Sequence, residues 1–300
     1  MPTMLGQNQY GKAENRVVRV TRDGDTHHIK DLNVSVALSG DMDEVHLSGS
    51  NANVLPTDTT KNTVFAFAKE HGIDSAEAFG IHLARHFVTG QESIHRARIR
   101  IQEYAWERIP AGGRGGGGHS FVRKGQETRT TEVAFDGEHW QVVSGLAGLV
   151  VLNSTDSEFR GFVKDEYTTL AETRDRILAT EVNARWRFGW TGGEQDVPGW
   201  EESYAQVRGD LLGAFAETYS LSLQQSLFAM GSRVIDNSAA VAAIDEVRLS
   251  LPNKHHFLAD LAPFGLDNDN EVYLAADRPY GLIEGTVLRD GAEARIPVTD

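Results

Sequence analysis

Ser250-Leu251-Pro252-Asn253-Lys254-His255-His256-Phe257 sets an amide, an ammonium and two imidazoles side by side. An Asn side chain both donates and accepts hydrogen bonds, and His is the side chain suited to proton transfer near neutral pH. A second grouping is His82-Leu83-Ala84-Arg85-His86. Two imidazoles at i and i+4 on a helix can chelate one metal, with His95 as a candidate third ligand. No Glu lies inside that pair as it does in metalloproteases, and such pairs also occur as ordinary surface residues. The run from Gly112 to Gly118 holds glycines around Arg114. It is not a phosphate loop, since no Lys-Ser or Lys-Thr follows it before a helix, and it predicts a flexible connection.

The elements that must carry these groups follow from pattern. Val247, Leu249 and Leu251 alternate as a strand does, and Pro252 predicts that the strand breaks there and then resumes. Val18 and Val20 run into Asp23-Gly24, a hairpin turn signal, and Leu32, Val34, Val36 and Leu38 alternate as in a half-buried strand. A helix is expected from about Thr57-Asp58. A second starts near Asp74, with Glu77 as a capping-box partner, and ends at Gly90, with Phe79, Leu83 and Phe87 on one face. Strands return around Ala97–Ile101 and beside Asp136-Gly137. The second half repeats the order, with strands near Trp140–Leu152 and Val182–Phe188 and helices from about Trp200 to Thr218 and after Gln224. Further strands follow at Val247–Leu251, Phe257–Leu261, Val272–Leu274 and Leu282–Val287. A short extra helix is expected at Thr169, capped by Thr169 with Glu172 and carrying Arg176 two turns in. Strand–strand–helix–helix–strand–strand thus occurs twice, which predicts an α+β chain with an internal duplication. Each unit alone would leave a sheet edge unpaired, so oligomerisation is expected as well.

Composition narrows the function classes. The chain has 300 residues, 40% of them hydrophobic, enough for a full core. Its net charge of −14 argues against a nucleic-acid or acidic-membrane surface, and an anionic substrate would need a local cationic pocket. The absence of cysteine excludes disulfides, thiolate metal sites and Cys nucleophiles. No apolar run approaches a membrane span, and no signal peptide is visible, so a cytoplasmic location is expected.

Beside Tyr10-Gly11-Lys12, Thr57-Asp58, Phe159-Arg160-Gly161-Phe162, Asp165-Glu166-Tyr167-Thr168-Thr169-Leu170, Asp175-Arg176-Ile177-Leu178 and Leu223-Gln224, the His255 segment becomes specific. In this order and spacing the chain closely resembles the urate oxidases (uricases), from about residue 7 to about residue 290. The resemblance implies two tandem tunnelling-fold (T-fold) units, residues 7–138 and 139–290. Each would be an antiparallel sheet with helices on one face, combining across subunits into barrels of a homotetramer. It implies oxidation of urate by dioxygen to 5-hydroxyisourate and hydrogen peroxide with no cofactor and no metal.

The resemblance also assigns roles. Phe159, Arg176, Leu223 (through its backbone N–H) and Gln224 clamp the substrate. Their chemistry suits a flat polar anion: a guanidinium fork and a side-chain amide for the rim, an aromatic face for the ring. Lys12, Thr57 and His255 form a proton relay, and a Lys serves as a base only where its surroundings favour the neutral amine. Thr57 and Asn253 adjoin the oxygen or water position, and Asp58 lies at a helix start where its N–H faces an anion and its side chain caps. Strand alternation points His256 to the other face. The C-terminus lacks the peroxisomal tripeptide common in animal and fungal members. The chain has Leu223 where the family often has Val, and its Gly112–Gly118 stretch is longer than the usual connection. Two other classes are a metal-dependent tunnelling-fold enzyme acting on a pterin and a catalytically silent purine-binding protein.

Overall fold

A computed structural model describes residues 3–110, 118–238, 242–276 and 278–298. The expected flexible stretch, apart from Gly118, lies outside them. The chain divides into two compact units, Met1–Gly145 with Arg187–Glu201, and Leu146–Trp186 with Glu202–Asp300.

The first unit opens with β1 (Tyr10–Asp23) and β2 (Thr26–Gly40), then α1 (Asp43–Leu47), α2 (Thr57–Glu70) and α3 (Ala76–Gly90). It continues with β3 (Ile94–Glu103), a small hairpin of β4 (Trp106–Arg108) and β5 (Phe121–Arg123), and β6 (Thr128–Phe135). β1, β2, β3 and β6 lie in that order, each antiparallel to its neighbour. Pairing sets Val34 against Ile101 and Ile99 against Val133, so the apolar members of each alternation share a face. On that face α3 packs against β3 and β6, and α2 against β1. Leu32, Val34, Leu38, Ile99 and Val133 are buried there with Phe79, Leu83 and Phe87 of α3.

β7 (Trp140–Asn153) passes from the first unit into the second. β8 (Leu178–Phe188), α4 (Trp200–Glu217), α5 (Leu223–Ser238) and β9 (Ile244–Pro252) follow. Then come a second small hairpin, β10 (His255–Leu258) with β11 (Tyr273–Ala276), and β12 (Leu282–Leu288). Strand order is β7, β8, β9, β12, and α5 packs against β9 and β12. Apart from α1, which has no counterpart, the layout follows the order of the first unit, and each unit spends its small hairpin between its third and fourth strands. One packing detail repeats too. A Cβ on Gly80 of α3 would lie 2.9 Å from a Val133 methyl on β6, and one on Gly231 of α5 would lie 2.5 Å from a Val287 methyl on β12. Both helices approach their last strand so closely that only glycine fits.

Two expectations are corrected. Glu77 is not a cap partner. The N-cap of α3 is Ser75, whose hydroxyl accepts from the Ala78 N–H at 3.0 Å. Glu77 is buried and bound to Arg129 at 2.7 Å, Thr131 at 3.1 Å and Ser144. A carboxylate so placed holds a buried cation and two hydroxyls, a stronger demand on its oxygens than an exposed cap. Nor is there a helix at Thr169. The Asp165 carboxylate accepts from Tyr167 N–H (3.0 Å) and Thr168 hydroxyl (2.7 Å), and Glu172 pairs with Lys164 at 3.0 Å. These local side-chain bonds hold the backbone in a turn and compete with helix.

Candidate active site

In the first unit, Lys12 and Thr57 are brought to the same end of the sheet's helix-bearing face. Tyr10 and Lys12 pair with Leu38 and Val36, both core residues, so their side chains share that face. Regular pairing then slips between Lys12 and Asn15. Asn15, itself buried, donates its amide to Lys12 O (3.1 Å) and Val34 O (2.8 Å), which holds the bulge closed. Lys12 is left half-buried. The Tyr10 hydroxyl accepts from the Leu55 N–H at 3.0 Å and ties β1 to the segment entering α2; burial pushes the Tyr10 pKa up.

Thr57 is the first residue of α2 rather than its cap. Pro56 stands before it and supplies no side-chain acceptor. The Asp58 side chain does not cap either. It bonds Lys61 and Asn62, i+3 and i+4 on its own helix, so it faces along the helix rather than back over the end. Lys61 is the main reason its pKa is lowered, and Lys12 makes a smaller contribution. The first-turn N–H groups of α2 are thus left uncapped, with a cation on the neighbouring strand.

In the second unit, Arg176 and Phe159 are in direct contact. The Arg176 guanidinium lies 5.2 Å from the centre of the Phe159 ring, and its Nε donates to Ser157 Oγ at 3.1 Å. Phe159 is held in place by paired backbone bonds with Thr173 (2.9 and 3.0 Å) and stacks on Phe162. Partial burial depresses the Arg176 pKa from its ordinary high value, the desolvation cost of holding a cation there.

Leu223 and Gln224 are connected to the same framework. Buried Ser157 forms a bridge with Ser220, whose hydroxyl receives a hydrogen bond from Ser226 of α5 at 2.9 Å. Ser222 caps α5 by accepting from the Gln225 N–H (3.2 Å), and Gln225 Oε1 returns a bond to the Leu221 N–H (2.7 Å). This capping box occupies the third-position N–H and leaves those of Leu223 and Gln224 unbonded among the described residues. The Gln224 side chain is exposed.

Asn253 and His255 reach the same strand end as Arg176. β9 stops at Pro252, as expected, and Asn253 then bridges to Thr180 while Lys254 N–H donates to Ala179 O at 2.8 Å. Both partners are at the start of β8, a few residues beyond Arg176. His255 opens β10 opposite Ala276, with its ring 5.8 Å from that of Phe257. His256 donates from Nδ1 to the Lys254 carbonyl at 3.0 Å. The serines that organise this unit were not singled out in the sequence. Ser222 and Gln225, three apart ahead of an apolar helix face, carried the capping-box signature that could have marked them.

His82 and His86 belong to no group of three or more His, Cys, Asp or Glu side chains placed to hold a metal ion among the described residues. They pack with Phe67 and His71 as a ring cluster (Phe67–His86 4.8 Å, His71–His82 5.6 Å). The expected third ligand, His95, is paired with Asp41 at 2.9 Å.

Two units of antiparallel sheet backed by helices, repeated in one chain, define a protein of the tunnelling-fold class. Comparison makes this specific. The uricase family model matches residues 8–134 and 142–284. The chain is 50% identical to the uricase of Arthrobacter globiformis over 295 residues, covering 98% of this chain and 93% of that one. It is 36% identical to the Aspergillus flavus uricase, covering 96% and 98%. The crystal structure of the Arthrobacter globiformis uricase superposes with a TM-score of 0.91 at 49% identity over 99% of both chains. This chain belongs to the uricase family.

Proposed function

We propose that the chain is a urate oxidase. Urate, dioxygen and water give 5-hydroxyisourate and hydrogen peroxide: two electrons pass from the purine to dioxygen, and water supplies the hydroxyl added at C5. The observation that carries this is the Arg176–Phe159 pair, a guanidinium fixed beside an aromatic face by a buried serine, with the uncapped amides of Leu223 and Gln224 hung from the same serine network. A planar anion seated there meets in-plane donors at its rim and a ring against its face.

Arg176, Gln224 and the Leu223 N–H hold the ring, and Phe159 stacks on it. Lys12, Thr57 and His255 carry protons so that urate reaches the electron-rich dianion, which reduces dioxygen itself. Thr57 and Asn253 hold the dioxygen and then the water, and the Asp58 N–H at the start of α2 supports the negative charge. The protein contributes orientation, anion stabilisation and proton transfer. Lys12, Thr57 and Asp58 act with Phe159, Arg176 and Gln224 of a second copy, so the active form is an oligomer, a homotetramer.

The test is urate loss followed in the ultraviolet with dioxygen uptake and peroxide release; all three should match mole for mole, and urate loss without peroxide refutes the reaction. Co-expressed Lys12→Met and Arg176→Ala chains, each inactive alone, should regain activity as mixed oligomers. A mixture as inactive as its parts would place both groups in one chain's site.

A further inference from the structure

The opposite face of the first unit's sheet carries a feature that urate chemistry does not use. Along β3, Arg96, Arg98 and Arg100 project away from the helices, since Ala97, Ile99 and Ile101 fill the core between them. Arg100 is paired with Glu132 at 2.6 Å. Arg96 and Arg98 have no carboxylate partner among the described residues, in a chain whose acidic groups outnumber its basic ones. Arg98 donates from one terminal nitrogen to Gln9 Oε1 at 3.2 Å, while its Nε is buried without a hydrogen-bond partner. A buried guanidinium N–H with nothing to donate to is costly, and two uncompensated cations two residues apart on one strand add repulsion. Both groups border a cavity of about 310 Å³, lined also by Gln7, Asn8, Ala37 and Ser39. Its remaining polar groups are amides and a hydroxyl, all able to donate. Lys12 and Tyr10 point to the other face, so this cavity is separate from the candidate active site.

We propose that this cavity is an oxyanion site, in which Arg96 and Arg98 bind a tetrahedral anion of the phosphate or sulfate class, with the Ser39 hydroxyl and the amides of Gln7 to Gln9 completing the donors. Guanidinium forks match such oxygens two at a time, and an anion there satisfies the orphaned Nε and cancels the paired charge.

The experiment is calorimetric titration of the full-length protein with sodium phosphate, and separately with sodium sulfate, against sodium chloride at equal ionic strength. Saturable heat is expected with at least one oxyanion and not with chloride. Losing one charge-assisted bond should weaken binding by roughly tenfold or more in Arg98→Gln and in Arg96→Gln, the exposed member that keeps the proposal testable if the first variant misfolds. Arg176→Ala should titrate as the parent does. The proposal is overturned by no saturable heat in the parent, by unchanged affinity in a folded Arg96→Gln or Arg98→Gln protein, or by loss of the heat in Arg176→Ala, which would send the anion to the urate site.

Discussion

Replacing Ser157 by Ala tests the reasoning about the substrate clamp without touching a group that meets urate. Ser157 is fully buried and accepts from Arg176 Nε at 3.1 Å. A hydrogen bond to a charged group contributes about 1.5–3 kcal/mol where water is excluded. Arg176 is only partly buried, so solvent recovers part of this, and its contact with the Phe159 ring remains; about 1 kcal/mol is the expected loss. With tenfold per 1.4 kcal/mol, that corresponds to a rise of about fivefold in KM for urate. The rate constant at saturation should change less than twofold, because no proton or electron passes through the serine. Ser157→Thr, which keeps an acceptor, should recover most of the lost affinity. Steady-state urate consumption over a range of concentrations separates the two parameters. A KM equal to the parent's, or a large fall in kcat at constant KM, would show that Ser157 does not position the guanidinium.

Other outcomes follow from the same geometry. Ser222→Ala removes the cap of α5 and should lower stability by about 1 kcal/mol while raising KM, because the fraying turn contains Leu223 and Gln224; thermal melting and kinetics together check it. Glu77→Ala strands a buried cation and two hydroxyls and should cost about 3–5 kcal/mol in urea unfolding, far more than alanine at exposed Glu92. Burial, with His71 adding to it, lowers the pKa of His82 and His86 below 6.5 in the folded chain. The unfolded chain therefore takes up protons first, so this stability is present above pH 6.5 and is lost as pH falls below it. Urea midpoints measured between pH 7.5 and 5.5 should fall less steeply in a His82→Phe, His86→Phe protein.

Pattern alone recovered most of the architecture, because burial on one face of a sheet imposes a two-residue period that Leu32–Leu38 and Ala97–Ile101 both display. The break at Pro252 was equally readable, since proline has no N–H with which to carry the ladder onward. Failures came where local side-chain bonding competed with periodicity. Thr169 and Glu172 have the spacing of a capping box, yet Asp165 captures Tyr167 and Thr168 first. Glu77 also fits that spacing, but its partner Arg129 lies on a strand far along the chain, and no local window contains it. The small hairpins divided: β10 and β11 overlap the strands expected at Phe257–Leu261 and Val272–Leu274, shifted by a few residues, whereas β4 and β5 have three residues each, too few for a period to emerge. The site residues were recognisable only as an ordered set of motifs, because the serine bridge that binds Arg176 to the α5 start joins segments far apart in sequence.

The two small hairpins leave and rejoin their sheets at corresponding places. In the first repeat the ladder resumes at Glu103 opposite Arg129, in the second at Pro252 opposite Leu282, whatever the chain has done in between. Register there is decided by the strands and not by the length of the excursion. Such points accept foreign sequence most readily, so a tag or a grafted domain placed at the β4–β5 tip should leave the ladder of the first unit in register.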